Sequence, residues 1–507
     1  MSLLHYLKKQ LQSLSTKHHQ DSSMQSLSHD LTANFKHIQS LFSYAPDFTY
    51  KSFMSKSGSH CMLLFLDNLV DQEKLNNQIL KPLQYDINQV NKNAIPFDRI
   101  EEKNKISDLE NALLTGNSVL LEEGQTNALI FSTQNFPLRS ISEPKTESTL
   151  KGSQQGFIES IGKNIALIRR YLPNRQLMIK SYSVGKRAPT QVALIFLHDV
   201  ANPEIIAEVE DRIQQIQVDS IINTGELIEY IEDHPSSVFP QILQTERPDA
   251  VASHLLQGRF AILVDHSPYS LVAPMTFFNF FSVIDDYSNR WMTTTFFRFL
   301  RYWGFFIATS LPAFYIATLT FSYEILPVDL LFSIGESRIQ VPFHPLIEAL
   351  IMEVSSVTIN IASARLTAPV GQTVGIVGGV ILGQAAVQAG IVSNIMVIVI
   401  AITTLSTFII PNTDVSSSVQ IIRFPMMIIA SLFGFTGISI GYMIIAALII
   451  NMESFGVSFG NPVSPIHLHE WKDLMVRFPN WKIHERPVSA DTVQAQRDGN
   501  SRQSGDQ

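Results

Sequence analysis

The chain has 507 residues, 45% of them hydrophobic and 16% charged, with a net charge of -8. That length calls for several domains, and an acidic balance without a basic, aromatic-studded stripe excludes nucleic acid as a partner. The single cysteine, Cys61, excludes an internal disulfide and a cysteine-based metal cluster. Next to Met62, Leu63 and Leu64 it reads as a small buried hydrophobe.

The N-terminus has no continuous apolar segment followed by a small-residue cleavage site, so it is not a secretory signal, and the N-terminal half is placed in the cytoplasm. Residues 1–55, rich in Ser, Gln, His and Lys, predict a polar, partly disordered segment. A first soluble α/β subdomain is predicted over 56–185, with a strand in His60–Asp71 and an amphipathic helix over Gln72–Gln84. Two more strands, Ser118–Gly124 and Thr126–Ser132, meet at a turn. A second subdomain over 186–290 starts with the strand Thr190–Val200 and a helix capped by Asn202 with Pro203 at its first position. A short strand Asp219–Asn223, a helix Gly225–Asp233 and strands Arg259–His266 and Ser270–Met275 complete it. No internal repeat is evident in the residues.

Charge becomes sparse beyond Arg301, and a transmembrane region is predicted over 291–452. Uncharged runs give four spans, at about 302–323, 374–391, 394–410 and 424–450. The fold class is therefore an N-terminal α/β half of two small subdomains followed by an all-α polytopic membrane bundle. Arg290, Arg298 and Arg301 precede the first span, while Lys472, Arg477, Lys482 and Arg486 follow the last. Both ends are thus cytoplasmic, with segment Asn412–Arg423 facing outward. The tail 453–507 is predicted to be disordered after about 487.

An amphipathic helix is predicted over 345–364. Ile347, Leu350, Ile351, Val354 and Ile361 mark an apolar face, and Ala349, Glu353, Ser356, Asn360 and Ser363 a small and polar stripe. The residues alone fit a helix lying on the membrane surface, or one whose stripe faces a water-filled path. Gly371, Gly375, Gly379 and Gly383 recur every four residues, and Gly434, Gly437 and Gly441 form a second set; both predict close helix packing. Gln384 and Gln388 are expected to point inward, since unpaired amides in lipid are costly.

No phosphate-binding, nucleophile-elbow, zincin or dinucleotide motif occurs. His467 and His469 form a weak metal pair without further ligands, and Asp265-His266 follows a strand without a nucleophile. No cofactor, metal or enzymatic activity is expected.

Several blocks carry a resemblance. They are RSISEPKTESTLKGSQQGFIESIGKNIALIRR (Arg139–Arg170), SSVFPQILQTERPDAV, LLQGRFAILVDHSPYSLVAP, VPFHPLIEALIMEV and PVGQTVGIVGGVILGQAAVQAGIVS. With the tail block SFGVSFGNPVSP…VRFPNWKIHERP they resemble the A subunits of GerA-type spore germination receptors from about Cys61 to Pro487. The resemblance implies an integral protein of the spore inner membrane that acts with a transporter-like B subunit and a lipoprotein C subunit. It further implies a homo-oligomer that forms or gates a nutrient-controlled ion channel and triggers germination. The alternative is a scaffold or carrier subunit that assembles the receptor without conducting. Under the channel reading Glu353, Ser356, Asn360 and Ser363 would line the pore, and Val354 or Val357 would gate it by dewetting. The chain departs from the family pattern at Pro342-Phe343-His344-Pro345, Asn360-Ile361-Ala362 and Arg365-Leu366-Thr367-Ala368-Pro369. These departures reduce the charge near the implied pore.

Overall fold

The most apolar short runs of the N-terminal half become inner strands of two antiparallel sheets, buried on both faces. In the computed structural model residues 26–497 are described, apart from 88–89, 91, 93–94, 136–146, 148–151, 367, 468–470 and 475. The chain forms two units. The first runs to Ile231 and takes in Gln244–Ala273 and Ala490–Ala495; the second comprises Glu232–Leu243, Pro274–Ser489 and the residues from Gln496.

In the first unit, helix α1 (Leu31–Leu41) starts at Asp30, whose carboxylate accepts from the Thr32 and Ala33 amides. Strands β1 (Phe48–Met54), β2 (His60–Leu66), β3 (Ile100–Lys103), β4 (Ser118–Glu122) and β5 (Ala128–Phe131) follow, with α2 (Ile106–Leu114) before β4. Their spatial order is β1-β2-β4-β5-β3. Alternation sends Leu64 and Leu66 into one cluster with Leu31, Ile38, Leu109 and Leu113. Leu63 and Phe65 enter a second cluster on the other face with Leu75, Ile79 and Leu83. Cys61 is buried there, and burial, aided by Glu122, pushes its thiol up to about 12.

The second sheet repeats the first. After α3 (Ile161–Tyr171) come β6 (Leu177–Val184), β7 (Thr190–Leu197), α4 (Pro203–Gln215), α5 (Thr224–Ile231) and β8 (Leu243–Thr245). Then follow α6 (Pro248–Leu256), β9 (Phe260–Val264) and β10 (Ser270–Ala273), in the order β6-β7-β9-β10-β8. The match extends to single groups. Asn34, fourth residue of α1, accepts from the Ser28 amide and donates to the Ser28 carbonyl; Asn164, fourth residue of α3, does the same to Ile158. Helices α2 and α6 both end on a left-handed glycine, Gly116 (φ 84°) and Gly258 (φ 92°). The hairpins after β4 and β9 turn at Gly124 (φ 80°) and His266 (φ 68°), again at corresponding positions. The expectation of no internal repeat is therefore corrected: the geometry repeats, although only a few residues repeat with it.

Other expectations also change. Residues 31–54, assigned by composition to a loose segment, form α1 and the edge strand β1. Residues 72–86 are helical but with wide π-type turns over Leu75–Leu80 and Pro82–Asp86. Residues 219–223 form no strand; their carbonyls are taken instead by the Arg187 and Ala188 amides at Asp219 and by the Thr190 hydroxyl at Ile221. Past residue 487 the tail stays ordered to 497: Asp491 accepts from Asn202 Nδ2 at 2.7 Å, and the Val493 amide donates to Val200 O. Residues 1–25 and 498–507 lie outside the described residues.

The second unit is helical: α7 (Trp291–Phe321), α8 (Val328–Arg338), α9 (Pro345–Arg365), α10 (Ala368–Gln388), α11 (Asn394–Phe408) and α12 (Thr413–Asn451). Among the described residues α7, α9 and α12 are each long and apolar enough to cross a membrane. Helix α12 is not a single rod. Gly434 (φ 60°, ψ -140°) breaks it, Gly437 lies against the Ile429 backbone and Gly441 against Met426. Pairs that close in around one glycine require the helix to double back there. The first arm runs with α7, from Arg423 beside Ala308 to Gly434 beside Phe321. The second returns, with Phe435 near Phe314 and Tyr442 bonded to Thr309.

Helix α11 runs opposite to α7: Ser393 meets Tyr315, while Gly304 meets Ser406. Residues 409–413 thus return to the end where α7 starts. There Tyr302 donates to the Leu474 carbonyl, and Asp286 accepts from Arg298 (2.8 Å) and Arg301 (2.9 Å). Segment Asn412–Arg423, expected on the outward side, therefore begins at the same end of the bundle as the tail. The charge count missed this because a helical hairpin, not a single span, follows it.

Candidate functional site in the membrane helices

Helix α9 starts where His344 Nδ1 accepts from the Leu346 amide and Pro345 occupies the first helical position. Helix α10 packs back along it, since Gly371 and Gly375 lie against Ser363 and Gly378 against Ile359. Between α9, α10 and α11 lies a cavity of about 1670 Å³. Ser356, Asn360 and Ser363 line it from α9, and Gln384 and Gln388 from α10. Ser356 also meets Thr404 of α11, with their hydroxyls 3.0 Å apart.

The polar stripe divides between the cavity and the buried interior. Glu353, expected to face water with the serines, is fully buried and ion-paired with Arg423. It does not line the cavity. Nor do Val354 and Val357. Val354 is 53% exposed on the opposite, apolar face with Ile347 and Ile361, and Val357 is half-buried between the two faces. A valine gate at 354 and the serine stripe therefore cannot face the same space within one chain.

The glycines also differ among themselves. Gly371, Gly375, Gly379 and Gly383 all border the cavity. A Cβ on Gly371 would overlap the Ser363 carbonyl, one on Gly375 would sit 3.2 Å from Ser363 Oγ, and one on Gly383 3.5 Å from Val397. Gly379 has nothing within 4 Å, so close packing there is not provided by this chain. Gly371→Leu is expected to lower the yield of folded membrane protein by more than half, because overpacking costs roughly 1–3 kcal/mol. Gly379→Leu should leave the yield unchanged; quantitative immunoblotting of membranes checks both.

Two features were not legible in the sequence. Arg423 looked like the charged edge of an apolar run, yet it is 1% exposed. Glu348 is likewise buried, pairing with Arg338 at 2.9 Å and accepting from the Ser393 amide at 3.1 Å. Arg423 and Glu353 lie 70 residues apart, and Arg338 and Glu348 sit on different helices, so helical spacing reveals neither pairing.

The remaining candidates have structural roles. Asp265 accepts from the Ile161 amide at the start of α3, and His266 supplies the left-handed hairpin turn. In the TERPD block, Pro248 opens α6, Thr245 donates to Glu147 (2.6 Å) and Arg247 forks onto Asp249. Burial raises Glu147 to about 7. His469 lies outside the described residues, and among those described no group of three or more His, Cys, Asp or Glu could hold a metal.

The family described as Bacillus/Clostridium GerA spore germination protein matches residues 36–489. The chain is 35% identical over 475 residues to the uncharacterized membrane protein YfkQ of Bacillus subtilis, covering 92% of this chain and 93% of that protein. It is 37% identical over 448 residues to spore germination protein KA of the same organism, covering 87% and 82%. A solved structure, the N-terminal domain of the A subunit of the Bacillus megaterium spore germinant receptor GerK3, is 27% identical. That match covers 50% of this chain and 98% of that one, with a TM-score of 0.38. A match over nearly the whole length, with relatives above 30% identity, places this membrane protein in the GerA family of spore germination proteins, the A subunits of germinant receptors.

Proposed function

We propose that this A subunit sits in the spore inner membrane, with its N-terminal half and tail cytoplasmic, and acts with a transporter-like B subunit and a lipoprotein C subunit. It is a receptor component, not an enzyme, and several copies assemble to form or gate a nutrient-controlled ion path. The observation that carries this reading is the cavity beside α9, bordered by Ser356, Asn360 and Ser363 among mostly apolar side chains. Hydroxyls and amides at membrane depth tend to face such water-accessible space. The carrier alternative calls for a helix broken at mid-membrane. Gly434 lies instead beside Phe321 at the end of α7, so it is read as a turn between two arms.

The test is potassium flux from liposomes holding the purified three-subunit complex, with a mixture of amino acids, sugars and nucleosides as trigger. Flux that needs both the mixture and this chain supports the reading. A fully assembled complex that stays tight would leave a scaffold.

A further inference from the structure

A proline inside a helix lacks the N–H that would bond the carbonyl four residues earlier. In α7 that proline is Pro312, and the carbonyl deprived of its partner is Ala308. Arg423 supplies the missing donor, its Nε lying 2.7 Å from Ala308 O. Its Nη2 donates to Thr407 Oγ1 of α11 at 2.6 Å, and its Nη1 to Glu353 Oε1 of α9. One buried guanidinium on the first arm of α12 thus touches α7, α9 and α11.

The three attachments are not equivalent. Arg423 keeps its own backbone and two neutral acceptors even without Glu353, so it stays seated on the α7–α11–α12 scaffold. Glu353 holds on through one oxygen, and Oε2 has no partner among the described residues. At the start of the same helix Glu348 is held twice, by Arg338 and by the Ser393 amide. Helix α9 is therefore pinned near Glu348 and fastened at Glu353 by a single charged contact, with the cavity just beyond at Ser356.

We propose that the Glu353–Arg423 pair is the lock of the resting receptor, and that opening moves α9 away from Arg423 about its Glu348 end. The proposal rests on the reading of α9 as the conducting helix. Breaking a desolvated pair from one side leaves a buried charge that drives the structure toward states admitting water. Glu353→Gln is close to isosteric and removes only the charge.

The experiment uses the complete complex in liposomes and reads potassium flux without nutrient. Glu353→Gln is expected to raise that basal flux at least about tenfold over wild type, given the usual cost of an unpaired buried charge. A second arm adds Ser356→Cys and Thr404→Cys in a Cys61→Ala background, since these hydroxyls already touch. Oxidation should stop the leak of the Glu353→Gln complex, and reduction should restore it. In a complex with Glu353 intact, oxidation should abolish flux triggered by the nutrient mixture, which decides the matter if Glu353→Gln does not accumulate. Wild-type basal flux in an assembled Glu353→Gln complex, or triggered flux through a fully crosslinked one, overturns the lock. A wild-type complex without triggered flux overturns the channel reading instead.

Discussion

Gly434→Val should abolish accumulation of the folded protein, because three costs fall on one residue. The backbone there (φ 60°, ψ -140°) is a conformation open to glycine and strained for any L side chain. A Cβ would sit 3.1 Å from the Phe321 ring, a contact the ring can relieve only by shifting. The arms beyond the turn are packed against each other at Gly437 and against α7 at Tyr442. Strain and overpacking together come to roughly 3–5 kcal/mol, a large share of the stability of an ordinary domain. Gly437→Ala should be nearly as damaging, since its Cβ would overlap the Ile429 backbone. Gly441→Ala should be mild, because the obstacle is the flexible end of Met426. Membrane abundance and thermal unfolding in detergent rank the three, and equal behaviour of Gly434→Val and Gly441→Ala would contradict a turn at Gly434.

The second large effect is expected in the first unit. Arg169 of α3 forks onto Asp47, just before β1, at 2.7 and 2.5 Å, and the two are 1% and 6% exposed. This pair joins the two repeated subdomains. Arg169→Met should destabilise the unit by about 3–5 kcal/mol, because it strands a buried carboxylate. Asp47→Asn combined with Arg169→Met should cost less than Arg169→Met alone, since neither residue then carries charge. A double-mutant cycle from denaturant unfolding checks this. Additive losses would mean that each side chain serves through packing, not through the pair.

The parts of the fold that could be read from the residues were those where burial dominates. Strands β2, β4, β7 and β9 are apolar because both faces of each sheet are covered, and the membrane helices announce themselves by missing charge. Edge strands were harder: β3 (IEEK) buries only Ile100, and β1 alternates too weakly to stand out. The duplication stayed hidden because it rests on two asparagines, two glycine caps and a turn that is glycine in one copy and histidine in the other. The hairpin at Gly434 was concealed by its surroundings, since glycine is common in membrane helices and no polar turn residue marks it. At the site, the stripe Ser356, Asn360 and Ser363 followed from helical spacing. The inward turn of Glu353 did not, because its partner Arg423 comes from another helix.

The most direct test of α9 as the ion path is to replace each residue from Ala349 to Ser363 by cysteine in a Cys61→Ala complex. Each variant is opened with the nutrient mixture, and block of potassium flux by a water-soluble thiol reagent is measured. Block concentrated at 356, 360 and 363, with 354, 358 and 361 silent, is the expected result. Block confined to 354, 358 and 361 would contradict it and put the path on the outer face of α9, between copies of the chain.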